Sequence, residues 1–415
     1  MRKGDDHPSG RGQFEHGRER TMKATPRVFV TGLGMISPAG AGSRAYWDGL
    51  CSAKSLFDEL TPLYAGMKPG ALGAWVPDSA REAAVSSSGI GAGAELRMAE
   101  IFAGYAAKEA IQDAGLHASD ASLRRAVVCV GTSDGQAGVV EEICSGASDG
   151  AGRFSSADIA FSVAQVAGSA GPAFAVQATC ASTNAALSSA RDALISGLAE
   201  TAVVVGCDAY SKKNIIGFGS LQALGPKGCR PFSRDRRFVT PAEGAGALVL
   251  QTERSLRQDQ QPYAELVAAA ISNDASHPTA PDPAGVEMCH RRALDEAGRE
   301  ASSIDVIYAH GTGSRINDAI EGAIFVDRYP QAAVTAVKGT VGHMMGAAGA
   351  AGAVAACLTL RHRLVPPTVV DAGEIELDLD LVTAAPRPVP DVRYVQNNSF
   401  GFGGNNAISI FGRPS

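Results

Sequence analysis

The sequence predicts an α/β fold in which two similar halves share one core. Buried strands alternate with helices along the chain, as they do in sheets that are covered by helices. A strand that ends in a Gly-Thr turn occurs twice, in RRAVVCVGTSDG (124–135) and in SSIDVIYAHGTG (302–313). This recurrence is a weak repeat signal. A single doubly wound sheet explains it nearly as well, so both architectures stay open at this point.

Composition and charge fit such a layered fold and exclude several classes of partner. The chain has 415 residues, of which 45% are hydrophobic and 19% charged, and 48 glycines allow close packing of helices on sheets. The net charge of −6 creates no general attraction for nucleic acid or for an anionic membrane surface. We therefore expect neither as a partner.

The cysteines and the ends of the apolar runs indicate the compartment. Eight cysteines show no C-x-x-C spacing, which is typical of a reducing cytoplasm and indicates no structural zinc. Residues 1–25 are polar and lack the apolar core of a signal peptide, so we expect a disordered leader. Apolar stretches such as Ala347 to Leu360 are too short to span a bilayer.

The individual elements follow the alternation in order. A helix with apolar residues at helical spacing is predicted over 95–116 and ends at Gly115. Strands are predicted at 27–34, 124–132, 201–209, 243–251 and 264–272, the last two as an antiparallel pair. The sequence thus divides into an N-terminal half, 26–258, and a C-terminal half, 259–415.

Cys180 stands where a predicted strand gives way to a helix, in VQATCASTNAALSSARDAL (176–194). Free N–H groups and the positive end of the helix dipole favour a thiolate at this point, so the sequence predicts an activated nucleophile. The helix places four apolar residues on one face that would anchor the turn, namely Leu187, Leu194, Ile195 and Leu198. An inert buried cysteine is the alternative.

Further candidate residues lie in the C-terminal half. His310 follows an apolar strand directly, and Lys338 and His343 follow another. Side chains at such strand ends face ligands in open α/β sheets. The loop NNSFGFGGNN (397–406) carries Phe400 and Phe402 among glycines whose N–H groups are free to face a substrate oxygen. Each of these signals is weak when taken alone.

Taken together, the motifs resemble those of the elongating β-ketoacyl-acyl carrier protein synthases, the condensing enzymes of fatty acid and polyketide assembly. The likeness runs from about residue 27 to 412. Six segments carry it in the family's order: VFVTGLGMISPAG, ATCAS, CRPFSRDRRFVTPAEGAGALVL, HGTGSRIND, KGTVGHMMGAAGA and NSFGFGGNN. The resemblance implies the thiolase fold, two similar α/β halves that form a layered αβαβα core and usually pair as a dimer. It includes the type II polyketide ketosynthases.

The resemblance also implies a role for each matching residue. Cys180 would be the nucleophile, and His310 and His343 the two active-site histidines with Lys338 beside them. The supporting acids would be Asp318 and Glu321. The oxyanion hole and gate would comprise Cys180, Phe402, Phe400, Gly401 and Gly403, and the pantetheine contacts Thr279, Thr312 and Ser314.

The implied reaction is a decarboxylative condensation. An acyl group moves from a thioester to Cys180, and malonyl thioester then loses CO₂ to give the carbanion that attacks it. Neither a metal nor a redox cofactor is needed, because the substrates arrive on the phosphopantetheine of an acyl carrier protein. That carrier is acidic, so docking requires a cationic rim. The candidates for the rim are Arg230, Lys227, Lys212 and Lys213, followed by Arg234, Arg236 and Arg237.

Two departures from the family pattern point to a specialised pathway. The family carries a glutamate nine residues after the second histidine, paired with the lysine, whereas this chain has Gly352. The segment from Gln222 to Arg230 is also short. Gly352 motivates the hypothesis that the partner is a second, inactive synthase-like chain and not a copy of this one; a homodimer is the alternative.

Other functions are disfavoured by particular residues. A chain-length factor lacks the nucleophile that Cys180 supplies, and a thiolase or starter-unit synthase would have another residue in place of His343. An NAD-binding oxidoreductase requires G-x-G-x-x-G, and GLGMIS (32–37) lacks its third glycine. A scaffold protein stays open on motifs alone.

Overall fold

The computed structural model describes residues 25–63, 67, 69–90, 97–147, 154–370 and 372–415. The predicted leader, apart from its last residue, lies outside the described residues. The strands are β1 Val28–Ser37, β2 Gly40–Ala41, β3 Asp58–Glu59, β4 Leu72–Gly73, β5 Val127–Gly131, β6 Ala173–Val176, β7 Thr201–Asp208, β8 Gly244–Thr252, β9 Ala264–Asn273, β10 Val306–Tyr308, β11 Ala333–Thr335, β12 Leu364–Val365, β13 Arg387–Pro388, β14 Tyr394–Gly401 and β15 Asn405–Gly412.

The α-helices alternate with these strands. They are α1 Ser43–Cys51, α2 Asp78–Ser87, α3 Met98–Asp113, α4 Ala121–Arg124, α5 Ala137–Ser145, α6 Ser156–Ala167, α7 Ser182–Ile195, α8 Lys212–Ser220, α9 Pro283–Ala297, α10 Arg315–Arg328, α11 Lys338–Val341 and α12 Ala348–His362.

The main sheet repeats one strand pattern in both halves of the chain. The first half contributes the order β1-β8-β7-β5-β6 and the second half β9-β15-β14-β10-β11. In each half the first two pairings are antiparallel and the last two parallel. The strands that end in a Gly-Thr turn, β5 and β10, occupy equivalent places. The two similar halves expected from the sequence are therefore confirmed, whereas the division at 258 stays a prediction.

The helices complete five layers. α7 contacts β5, β7 and β9, and α12 contacts β8 and β14. Both helices therefore lie between the part of the main sheet that the first half contributes and the part that the second half contributes. α3 and α6 cover the outer face of the first half, and α9 covers that of the second. Every residue from Ala348 to Leu360 in α12 is buried, because its alanines and glycines allow both sheets to approach closely. The layered αβαβα core is thus present.

Two local expectations are wrong. The strands predicted at 243–251 and 264–272 do not pair with each other, because β1 lies between β8 and β9 and pairs antiparallel with both. Leu198 does not belong to the buried helix face: α7 ends at Ile195, Gly197 turns the chain at a φ of 80°, and the Leu198 side chain is 65% exposed. Leu187 and Leu194 are fully buried, as expected.

The structure also bears on compartment and membrane contact. All eight cysteines are free thiols, six of them buried, which agrees with the absence of a disulfide framework. Among the described residues, no helix combines the length and apolar character that crossing a bilayer requires.

Candidate active site

Cys180 lies in a single turn of 3-10 helix, Thr179–Ala181, directly before α7. The turn packs against the end of β5, where a Cβ on Gly131 would lie 2.6 Å from the carbonyl carbon of Ser182. Only glycine allows this close approach. The thiol is therefore held in a buried turn at the start of a helix, which is the local structure that the sequence predicts for it.

Thr179, which was not among the residues predicted for the site, connects this turn to the loop that carries Gly401 and Phe402. Its φ is +51°, an unfavourable value for a β-branched residue. Its hydroxyl lies 2.8 Å from the carbonyl oxygen of Ala178 and 3.1 Å from that of Phe402. A Cβ on Gly401 would lie 2.0 Å from the Thr179 hydroxyl oxygen, so Gly401 is required where the two loops meet. No sequence pattern marks Thr179.

His343 is fixed in one tautomer by its own loop. Its backbone N–H donates to the carbonyl oxygen of Thr240 at 2.7 Å. The N–H of Met345 donates to the ring nitrogen Nδ1 of His343 at 3.0 Å. Because Nδ1 accepts, the ring proton is on Nε2, and His343 presents an N–H donor to the site.

His310 is fixed in the same tautomer by a different neighbour. The Nζ of Lys338 lies 3.3 Å from the Nδ1 of His310 and also donates to its carbonyl oxygen. An ammonium group can only donate, so Nδ1 accepts and the ring proton is on Nε2. The two imidazoles stand nearly perpendicular, at 88°, with ring centroids 5.5 Å apart.

The environment keeps both imidazoles neutral. Burial, together with the nearby charge of Lys338, holds the pKa of His310 and the pKa of His343 well below the usual value for histidine. Neutral rings with their proton on Nε2 can each donate one hydrogen bond to a substrate oxygen. Two such donors beside one carbonyl oxygen would stabilise an enolate that forms there.

The thiol of Cys180 departs from the sequence expectation. Burial raises its pKa to about 11, and the charge of Asp208 adds to the rise, while Lys338 and two backbone N–H groups oppose it. The sequence predicts that free N–H groups and the helix dipole favour the thiolate, whereas loss of solvent has the larger effect at this buried position. A pKa of about 11 favours the neutral thiol at neutral pH.

The two N–H groups expected at the oxyanion hole, those of Cys180 itself and of Phe402, both act to lower the pKa of the Cys180 thiol. The Phe402 ring is 38% exposed and lies 6.2 Å from the ring of Phe218, at the mouth of the site. Phe400 is buried, with its ring 6.0 Å from that of His310. Gly403 has a φ of +76°, which turns the loop back toward β15.

Lys338 is buried with two carboxylates that support the backbone around it. Glu321 accepts the N–H groups of His310 and Gly311 at 2.8 and 2.7 Å, and Asp318 accepts those of Phe232 and Gly313 at 2.9 and 3.2 Å. Burial raises the pKa of Glu321 to about 7 and that of Asp318 to about 6.

Burial disfavours the charged form of Lys338, and the nearby carboxylates favour it without direct contact. Burial lowers the pKa of its ammonium, and the charge of Glu321 is the main effect in the other direction. Within the described part of the chain, no carboxylate oxygen lies within 4.0 Å of its Nζ. The two acids thus hold the loops and act on the lysine only through their field.

Gly352 leaves no room for the family's glutamate. A Cβ at this position would lie 2.0 Å from the side-chain oxygen of Asn397. The amide of Asn397 donates to Asn184 and to the carbonyl oxygen of Gly349, both at 3.0 Å. A neutral hydrogen-bond network therefore occupies the place where the resemblance implies a glutamate.

A cavity of about 430 Å³ opens from the reactive residues to the surface. Cys180, His310 and His343 lie among its lining residues together with the expected pantetheine contacts Thr279, Thr312 and Ser314. The hydroxyl of Thr312 donates to that of Ser314 at 3.0 Å, and Ser314 caps α10. The cavity thus brings together hydroxyl groups and reactive side chains from both halves.

The cations expected at the cavity mouth are largely paired within the chain. Arg230 forms ion pairs with Glu374 and Asp235, Lys227 with Asp235, and Lys213 with Asp134. Lys212 lines a different cavity, next to α5. Arg236 is buried against Glu376.

Two other arginines line the mouth itself. Arg237 and Arg315 are exposed at the edge of the large cavity, and neither forms an ion pair with a residue that the structure describes. The sequence analysis included Arg237 among its last candidates and missed Arg315. Ile316 and Leu221 beside them are 58% and 51% exposed.

The reactive triad is close enough to share a metal ion, but its hydrogen bonds oppose one. The sulfur of Cys180 and one nitrogen of each imidazole lie within 4.8 Å of one another. A metal requires an unprotonated ring nitrogen. Moving either proton to Nδ1 would set it against the N–H of Met345 or the ammonium of Lys338. The residues fit a pair of hydrogen-bond donors better than a metal site.

Comparison with known proteins gives consistent matches over most of the chain. The family models "Beta-ketoacyl synthase, N-terminal domain" and "Beta-ketoacyl synthase, C-terminal domain" match residues 25–255 and 263–370. Nodulation protein E of Rhizobium meliloti (strain 1021) is 32% identical over 413 residues, covering 93% of this chain and 98% of that protein. The 3-oxoacyl-[acyl-carrier-protein] synthase 2 of Mycobacterium bovis is 36% identical over 248 residues, 56% of this chain and 59% of that protein.

Two solved structures have the same fold over nearly the full length. The ishigamide ketosynthase/chain length factor is 36% identical with a TM-score of 0.85, covering 94% of this chain and 100% of that chain. The second match is a chain in the structure of a type II polyketide synthase acyl-carrier protein in complex with its ketosynthase bound to the hexaketide. It is 27% identical with a TM-score of 0.82, and the match covers 94% of this chain and 100% of that chain.

Alkylation of Cys180 is expected to be slow at neutral pH. Because its pKa is raised to about 11, the thiolate fraction and the rate with iodoacetamide should rise about tenfold per pH unit up to that value. The exposed Cys144 serves as the internal control and should be labelled first at neutral pH. Peptide mapping measures both rates. A rate for Cys180 that stops rising below about pH 8 would show a preformed thiolate and contradict this assignment.

Proposed function

The chain belongs to the β-ketoacyl synthase family, and on that premise we propose that Cys180, His310 and His343 carry out its decarboxylative condensation. The chain is an acyl-transferring condensing enzyme, and the product is a β-ketoacyl group on an acyl carrier protein. The observation that carries the residue assignment is the convergence of one thiol and two imidazoles within 4.8 Å.

In the first step, the acyl group moves from a carrier thioester to Cys180. The sulfur attacks the thioester carbon, and the N–H groups of Cys180 and Phe402, which also lower the pKa of the thiol, are proposed to donate to the oxyanion. Each such donor contributes about 3 kcal/mol in other enzymes. The proton of the thiol passes to the departing pantetheine sulfur, so a neutral resting thiol needs no external base.

In the second step, malonyl thioester loses CO₂. The two Nε2–H groups donate to its thioester oxygen and stabilise the enolate that forms as the carbon–carbon bond breaks. The enolate carbon attacks the acyl carbon on Cys180, the bond to sulfur breaks, and the thiolate takes up a proton. This step needs no metal or redox cofactor, because the electron pair stays on the substrate.

We propose that the substrates arrive on a separate acyl carrier protein, as in a type II pathway, and that the reaction takes place in the cytoplasm. The solved structures at 36% and 27% identity are a ketosynthase/chain length factor and a ketosynthase of a type II polyketide synthase. We propose carrier-borne acyl chains as the substrate class, whether for a fatty acid or a polyketide. Eight unpaired cysteines support a reducing compartment.

A chain-length-factor-type scaffold is the second candidate for the function. The similarity to a ketosynthase/chain length factor favours considering it. Against it, the chain retains the thiol and both imidazoles in one cavity, with their tautomers fixed. A scaffold has no need of that arrangement, so the condensing role is preferred.

The acyl carrier protein is proposed to dock at Arg237 and Arg315. Both arginines line the cavity mouth, where the pantetheine arm has to enter, and neither forms an ion pair with a described carboxylate. The exposed side chains of Ile316 and Leu221 supply apolar contact area beside them. The originally expected cations Arg230, Lys227 and Lys213 are already engaged in ion pairs.

A second synthase-like chain is proposed to cover the free edge of the main sheet. Within the described residues, β6 has a neighbour on one side only, β5. Phe154, Phe161 and Phe174 near this edge are 57%, 51% and 36% exposed. An open edge flanked by exposed aromatic rings is typical of a protein interface. The similarity to a ketosynthase/chain length factor supports a partner of different sequence.

Separate replacements should divide the two steps of the reaction. Cys180→Ala should abolish both acyl-enzyme formation and product, whereas His343→Leu should still form the acyl-enzyme but slow product formation by about 10²- to 10⁴-fold. Mass spectrometry of the protein and of the carrier product measures the two. Cys144→Ala is the matched cysteine control. Undiminished product from Cys180→Ala, in the presence of any partner chain, would instead support the scaffold.

Charge reversal at the mouth should weaken carrier binding selectively. Arg237→Glu and Arg315→Glu should each raise KM for acyl carrier substrates about tenfold, since rim cations steer an acidic partner, and leave kcat within about threefold. Lys212→Glu, which alters a cation at another cavity, is the control. Acyl pantetheine without the carrier should react equally with all variants. An equal loss for that small substrate would contradict docking at these arginines.

Charges at the free edge should separate the subunits. Phe161→Glu and Phe174→Glu should reduce the assembly to the 42.5 kDa chain, because an unpaired buried charge opposes association. Met288→Glu, at a side chain that is 42% exposed on α9, is the matched control. Light scattering of the chain alone and with a co-expressed synthase-like partner measures the mass. Retention of the assembly by both variants would place the interface elsewhere, and a fully active homodimer would refute the unlike partner.

A further inference from the structure

Asp208, at the end of β7, is a completely buried carboxylate that joins two active-site loops. On one side it accepts the hydroxyl of Thr132 at 2.7 Å and the N–H groups of Ser133 and Asp134, both at 2.9 Å. On the other side it accepts the N–H of Gly346 at 2.6 Å. Four donors on one buried carboxylate indicate a fixed junction between the two loops.

The backbone of Gly346 is held by hydrogen bonds at its N–H group and at its carbonyl oxygen. Its N–H donates to Asp208, and its carbonyl oxygen accepts the hydroxyl of Thr183 from α7. A Cβ on Gly346 would lie 2.5 Å from the nitrogen of Ser133 and 2.7 Å from a carboxylate oxygen of Asp208. This contact requires glycine. Asp208 and Thr183 together are called the Gly346 clamp below.

The clamp holds the preceding residue in an unfavourable conformation. Met345 has a φ of +50°, which costs a non-glycine residue about 1 kcal/mol or more. This conformation directs the Met345 N–H at the Nδ1 of His343. The backbone bonds of His343 to Thr240 and Ala242 fix its chain but not its ring. Among the described residues, the Met345 N–H is the one group that bonds to the His343 ring and specifies its tautomer.

We propose that Asp208 and Thr183 are positioning residues, which keep the proton of His343 on Nε2 by holding the Gly346 peptide. The inference rests on the proposed function, because the Nε2–H is the donor that decarboxylation uses. Without the clamp, Met345 relaxes toward negative φ, its N–H leaves Nδ1, and the imidazole samples the other tautomer. Decarboxylation then slows, while the nucleophile remains in place.

Asp208 has an additional electrostatic effect that Thr183 lacks. The ionisable groups around the Cys180 thiol are Lys338, Asp208 and the two neutral imidazoles. Burial is the main cause of the raised thiol pKa, Lys338 opposes it, and Asp208 adds to it. Removing the charge of Asp208 therefore lowers the thiol pKa and increases thiol reactivity. Asp208→Asn is therefore expected to speed the alkylation of Cys180 and to slow decarboxylation.

The test compares four variants at about pH 8.5, where Asp208, whose pKa burial raises to about 7, is ionised. Asp208→Asn should increase alkylation of Cys180 about threefold and slow CO₂ release from malonyl carrier about tenfold or more. Thr183→Val should slow CO₂ release to a similar degree with alkylation unchanged, and Thr183→Ser should restore it. The matched control is Asp113→Asn: that carboxylate, at the end of α3, accepts the N–H of Leu33 and the hydroxyl of Tyr263 and not the N–H of Gly346, so both rates should stay within about threefold.

Nitrogen NMR of the labelled histidines provides a readout that does not depend on turnover. The wild-type His343 should show the Nε2–H tautomer, and Asp208→Asn and Thr183→Val should show a mixture of tautomers. A parallel fall of alkylation and CO₂ release in Asp208→Asn, or an unchanged tautomer in Thr183→Val, would overturn the clamp. If Asp208→Asn does not fold, the comparison of Thr183→Val with Thr183→Ser tests the clamp by itself. A wild-type protein with the expected tautomer but no CO₂ release would refute the proposed function and leave the clamp standing.

Discussion

Burial of every reacting group is the constraint on which this active site depends. Loss of solvent favours the neutral forms of Cys180, His310 and His343, and it also opposes the charge of Lys338. Once the groups are neutral, their chemistry is decided by where the remaining protons sit. Those positions are set by hydrogen bonds from fixed donors, the N–H of Met345 and the ammonium of Lys338. The protein therefore controls reactivity through proton placement more than through charge.

The duplicated sheet explains how such distant segments meet. The central helices α7 and α12 begin at equivalent points of the two halves, and each is preceded by a strained turn that contains Thr179 or Met345. The nucleophile precedes one helix and His343 the other. His310 follows β10, while the equivalent strand β5 ends beside Thr132, which supports Asp208. Before the central helices the two halves thus present the nucleophile and an imidazole, and at the ends of β5 and β10 they present a supporting hydroxyl and an imidazole.

The sequence predicts the fold class and the reactive residues because both depend on local signals. Strand ends, glycine turns and the motif around Cys180 can be recognised in short segments. The state of the thiol could not be predicted, since it depends on how many distant atoms exclude water from it. The pairing of Arg230 with Glu374, across 144 residues, is equally invisible in the local charge pattern. Thr179, Thr183 and Asp208 carry no motif, because their roles arise only where two loops meet.

The replacement of a family glutamate by Gly352 follows from the same constraint. A carboxylate near Lys338 would offset the positive charge that opposes the effect of burial on the Cys180 thiol. Here the space is filled by the amide of Asn397, which is satisfied by Asn184 and Gly349 without any net charge. The charge of Lys338 is then offset by Glu321 and Asp318, whose oxygens are occupied by backbone N–H groups, and its effect at the sulfur is opposed by Asp208. A neutral network at Gly352 therefore preserves the assistance that Lys338 gives to a buried thiolate when the condensation step releases it.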